Sequence, residues 1–98
     1  MAGFVQIIEY KTSRIDEVIQ LVEEMRAKLK DSPSVHSMMI CGDRDSPGTY
    51  LSLVEFESYE AAMANSNRPE TMEMAKKMAE LCDGPRTFRN VDILRADG

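Results

Sequence analysis

The sequence has 98 residues, of which 43% are hydrophobic and 30% charged, a balance that fits one globular domain (1–98) with a single core of moderate size. Twelve basic against 17 acidic residues give a net charge of -5, which repels a phosphate backbone and excludes nucleic acid as the expected partner. No apolar run approaches the about 20 residues that cross a bilayer, and Met1 to Gln6 lack the basic flank and long apolar core of a secretion signal, so no membrane is expected and the cytoplasm is the expected location.

Phe4 to Lys11 predicts a strand. Phe4, Gln6, Ile8 and Tyr10 share one face and Val5, Ile7 and Glu9 the other, because side chains alternate along a strand. Both faces are apolar in the middle, so both should meet something other than water. Ser13-Arg14-Ile15-Asp16 has the pattern of a capping box. Behind it Ile15, Val18, Ile19, Val22, Met25 and Leu29 recur at helical spacing to about Lys30. Asp31-Ser32-Pro33 is the expected stop, since proline disfavours helix in the residue before it.

Val35 to Cys41 and Thr49 to Phe56 predict two strands of an antiparallel hairpin, with the turn formers Asp43, Asp45, Ser46, Pro47 and Gly48 between them. Ser58 is an N-cap for a short helix through about Asn65. Asn65 to Arg68 interrupts, and Pro69 suits the first turn of a new helix. Its stripe is Met74, Ala75, Met78, Leu81 and Cys82, and Asp83-Gly84-Pro85 ends it. Phe88 to Arg95 predicts the fourth strand.

The order β-α-β-β-α-β, with the second helix broken in two, is the ferredoxin-like α+β pattern: a four-stranded antiparallel sheet with its helices on one face. An apolar face left bare marks an interface. A homodimer follows as the expectation, two sheets face to face in a dimeric α+β barrel.

Three sets of residues carry a resemblance. One is Tyr50-Leu51-Ser52-Leu53-Val54-Glu55-Phe56-Glu57-Ser58-Tyr59-Glu60-Ala61-Ala62, a strand entering a helix through an F-x-S-x-E-A join. The others are Asn65-Ser66 followed by Pro69-Glu70, and Gly84-Pro85 before the last strand. Over roughly Phe4 to Leu94 the chain resembles the antibiotic biosynthesis monooxygenase-like proteins of the dimeric α+β barrel superfamily. The resemblance implies a pocket between sheet and helices for a small apolar or aromatic molecule. In some members it also implies oxygenation without metal or organic cofactor; no cofactor is therefore expected. The alternatives are a non-catalytic ligand-binding or dimerisation module of the same fold, and isomerisation of a small lactone, which related barrels also perform. Haem-degrading members use a strand-one amide, a helical Trp and an axial His. Gln6 falls at the first place, Met63 near the second and Lys76 near the third. The helix has no His, which the haem iron of such proteins takes as its axial donor, and there is no Trp. The oxygenases rely on Asn, Trp and Arg, of which Asn65 and several arginines are present.

His36 is the only histidine, with a pKa range suited to a base or proton shuttle. Its predicted face, with Met38 and Ile40, equally suits a packed residue. It has no partner at metal-ligand spacing, so no metal site is expected. Asn65, Asn67 and Arg68 either border a pocket at the helix break or serve the turn locally. Tyr10 or Tyr50 could hold a substrate oxygen or lie at a sheet edge. Arg89 could bind a carboxylate or enolate, or pair across strands. Seven internal methionines (Met25, Met38, Met39, Met63, Met72, Met74 and Met78) suit a roomy apolar pocket better than a tight aliphatic core. Cys41 and Cys82 form no CxxC and read as structural thiols.

Overall fold

The structure, a computed structural model, describes residues 3–28 and 35–97. Its elements are β1 (Phe4–Lys11), α1 (Ile15–Lys28), β2 (Val35–Gly42), β3 (Thr49–Phe56), α2 (Tyr59–Ser66), α3 (Pro69–Leu81) and β4 (Thr87–Asp92). The strands form one antiparallel sheet in the order β2-β3-β1-β4, which is the ferredoxin-like arrangement. Leu29 and the expected stop at residues 31–33 lie outside the described residues. Among the described residues no helix is long and apolar enough to cross a membrane.

Alternation along β1 decides the layering. Phe4 and Tyr10 point to the helices and are 2% and 1% exposed. Phe4 packs with Phe56 and Ala62, while Tyr10 packs with Val18 and Met78. Val5 and Ile7 project to the opposite face beside Leu53 and Glu55 of β3 and Arg89 and Val91 of β4. There Val5, Ile7, Leu51 and Leu53 stay half-buried, and Met39 is exposed.

The ends of the elements differ from expectation in two places, each for a local reason. The hydroxyl at the start of α1 is that of Thr12 rather than Ser13: it accepts from the Arg14 amide at 2.9 Å and donates to the Leu81 carbonyl at 2.6 Å. β4 stops at Asp92 rather than Arg95, because Asp92 already faces Phe4, the first residue of β1. One more bond, from the Ile93 amide to the Gly3 carbonyl at 2.9 Å, closes the ladder. At α2, Ser58 is the N-cap, its hydroxyl accepting from the Ala61 amide at 3.0 Å.

Candidate functional site

Helices on one face of a twisted sheet leave a hollow wherever the helix layer is interrupted, and here the interruption is the α2–α3 break. The Asn67 amide bonds back to Met63 and Ala64, and the Arg68 amide to the Asn65 carbonyl at 3.2 Å. Pro69, which has no N–H to give, then restarts the helix. Beneath the break lies a cavity of about 350 Å³, within the about 300–1,000 Å³ range of small-molecule sites.

Its floor comes from the sheet: Gln6 and Ile8 of β1, Ser52, Val54 and Phe56 of β3, and Phe88 of β4. Its walls carry five methionines, Met25, Met38, Met72, Met74 and Met78. Thioether side chains are flexible and polarisable, so such walls adapt to differing apolar shapes.

The polar groups on the lining divide by whether they already have partners. Ser52 shares a 2.9 Å hydrogen bond with the Tyr10 hydroxyl, and the Ser66 hydroxyl donates to the Ala62 carbonyl at 3.0 Å. Gln6 Nε2 donates to Asn90 Oδ1 at 3.3 Å. Asn65 Oδ1 and Thr71 Oγ1, on opposite sides of the helix break, are buried and have no partner among the described residues. Asn65 as a whole is only 8% exposed. An unpaired buried oxygen costs about 1–3 kcal/mol, so these two atoms mark where the empty cavity is least satisfied.

Among the described residues the only charged side chains on the lining are Arg26 and Arg86. The Arg86 guanidinium lies 5.2 Å from the centre of the Phe88 ring. Neither arginine has a carboxylate within ion-pair distance among the described residues. Arg68, by contrast, is held by Glu70 at 3.0 Å, a bond that helps to keep the Glu70 carboxyl below its ordinary pKa after the larger effect of its own backbone amide.

Of the residues singled out from the sequence, Gln6 and Asn65 line the cavity. Met63 packs instead against the Phe4–Phe56–Ala62 cluster. Tyr50 lies at the far end of the sheet, its ring 6.2 Å from that of Tyr10. His36 does not share a face with Met38. The ladder slips between Val35 and Ser37, making His36 the extra residue of a bulge. Its Nδ1 is 3.8 Å from Glu55 Oε2, and the side chain is exposed. Arg89 faces Ile7 across the ladder, on the face away from the helices.

Solved structures share this architecture. A Nitrosomonas europaea protein named "putative antibiotic biosynthesis monooxygenase" superposes with a TM-score of 0.79 at 13% identity, covering 98% of this chain and 94% of its own. A Caulobacter crescentus CB15 protein of the same name gives 0.76 at 16%, covering 96% and 90%. A conserved protein of Methanosarcina mazei Go1 gives 0.81 at 10%, covering 93% and 92%. The chain has the antibiotic biosynthesis monooxygenase-like fold. No protein-family model matches the sequence, and no curated protein matches it.

Within this monooxygenase-like fold the sequence could have revealed Arg86 and Phe88, since alternation places both on the face that carries Asn90. Thr71 and Arg26 had no local signal: one is an ordinary first-turn threonine, the other a basic residue near a helix end, where the helix dipole alone accounts for it.

Proposed function

We propose that the protein binds a small apolar or aromatic molecule in this cavity and oxidises it with molecular oxygen, as a cofactor-independent monooxygenase-like homodimer of the cytoplasm. The observation that carries the reading is the methionine-walled cavity ending in the Asn65 side-chain oxygen, unpaired among the described residues. Among the described residues the lining includes no carboxylate and no histidine. Proton removal therefore falls to a substrate acidic enough to enolise in water, such as an activated methylene beside a phenol. Positive charge from Arg26 and Arg86 favours the resulting anion. Such a substrate supplies all the electrons: the methylene becomes a carbonyl, one oxygen atom of O2 enters the product and the other leaves as water.

The same lack of a base favours a second reading, a ligand-binding or dimerisation module with this fold and no turnover. Oxygen uptake with a panel of anthrone-like phenols, with product mass measured under labelled oxygen, separates the two. Uptake above the uncatalysed rate with one labelled atom in the product supports the oxygenase. Tight binding without uptake supports the module.

A further inference from the structure

We propose that the cavity selects an apolar organic acid that also carries a hydroxyl group, with the hydroxyl seated at the α2–α3 break and the acid drawn by the arginines. This rests on the reading of the cavity as a ligand site, and holds whether or not the ligand is turned over.

The first observation is electrostatic. The protein is acidic, with 17 Asp and Glu against 12 Lys and Arg, yet among the described residues the charged ones on the cavity lining are both arginines. Charges scattered at random would place more carboxylates than cations there. A cationic, partly desolvated pocket in an anionic protein favours an anionic ligand, because a nearby positive charge gains strength as water is excluded. Arg86 is half-buried beside Phe88. Its planar guanidinium can both stack on an aromatic ring and pair with a carboxylate in a fork.

The second observation is the pair of unsatisfied oxygens. Asn65 and Thr71 line the cavity, and each leaves a buried oxygen unpaired among the described residues. The terminal torsion of an asparagine is broad and two-fold, so its amide can present either its acceptor or its donor to the cavity. A threonine hydroxyl both donates and accepts. A ligand hydroxyl, itself both donor and acceptor, matches the pair; a carbonyl or ether matches only half of it. Sites built to bond a hydroxyl reject analogues that lack it, because the protein groups are then left unpaired.

The test is calorimetric binding of four bicyclic probes, hydroxynaphthoate, naphthoate, naphthol and naphthalene, to the intact protein and its variants. Hydroxynaphthoate should bind tightest, with about tenfold lost on removing the hydroxyl and about tenfold on removing the acid. In Asn65→Leu and in Thr71→Val the preference for hydroxynaphthoate over naphthoate should shrink toward one while naphthoate affinity holds. In Arg86→Gln the preference for hydroxynaphthoate over naphthol should shrink instead. Equal binding of all four probes overturns the selectivity and leaves the cavity as a plain apolar site. A hydroxyl preference that survives in both Asn65→Leu and Thr71→Val overturns the assignment to the helix break. Failure of every probe, naphthalene included, overturns the reading of the cavity as a ligand site, and the inference with it.

Discussion

Thr12 donates from its hydroxyl to the carbonyl of Leu81 at 2.6 Å, and so ties the end of β1 to the last turn of α3. The same oxygen accepts from the Arg14 amide, and beside it the Asp83 amide bonds to the Lys11 carbonyl at 2.7 Å. Thr12 is 4% exposed, so no water replaces these bonds if the hydroxyl goes. Thr12→Val keeps the shape and strands both backbone groups. It should lower stability in urea denaturation by about 1–3 kcal/mol, and Thr12→Ser by less. A valine variant as stable as the parent would show that the corner is held by packing alone.

Tyr10 makes stability fall at high pH. Burial, opposed in part by its bond to Ser52, raises its phenol above the ordinary 10.0. A group whose pKa is raised on folding keeps its full contribution below the unfolded value and loses it as pH climbs through the folded one, because the unfolded chain gives up the proton first. The Cys82 thiol, raised above 9.0 mainly by burial, acts in the same direction from a lower pH. Unfolding free energy should therefore decline from about pH 9 upward. Tyr10→Phe should flatten the slope above pH 10.0, and Cys82→Ala the slope just below it. Unchanged slopes in both variants would assign the alkaline loss to other groups.

Element order and layering were legible because they follow from patterns with a fixed period. Alternation in β1 separates Phe4 and Tyr10 from Val5 and Ile7, and Ser58 announces its helix by chemistry that depends on three residues. What a period cannot register is an insertion. One extra residue at His36 turns it away from Met38 and leaves Val35 on the cavity side. Long-range bonds are equally silent in the sequence: nothing near Thr12 names Leu81 as its partner. The cavity was half legible. The abundance of methionine suggested its walls, and the helix break suggested Asn65. Arg26 and Thr71 join it only because α1 and α3 pack over the same stretch of sheet.

Asn65 should be a residue that stability does not require. Its side-chain oxygen is buried and unpaired among the described residues, so an apolar residue of similar size removes a penalty and breaks no bond to that atom. Asn65→Leu should be neutral, or stabilising by up to about 1–3 kcal/mol, in the ligand-free protein. A thermal melt alongside urea unfolding measures this. A loss of similar size would mean that the amide holds the helix break together, and its place on the cavity wall would then be structural.

The uncovered face of the sheet gives the sharpest assembly prediction. Val5, Ile7, Leu51, Leu53 and Val91 lie on it half-buried, with Met39 at 57% exposure, and apolar patches of this kind cost solubility unless something covers them. A second copy would cover the patch with an identical one, and the charges around it suit that arrangement. Glu9 and Glu55 stand on the same face as Arg89, so two sheets crossing about a two-fold axis bring unlike charges within reach of each other. A stable pair needs about 800 Å² from each copy, which a face of four strands can supply. The protein should sediment as a dimer at micromolar concentration. Leu53→Asp, which places a charge in the middle of the patch without touching the helix side, should yield a monomer with the same far-ultraviolet circular dichroism. A parent that sediments as a monomer would remove the barrel. A variant that remains a dimer would move the interface to another surface.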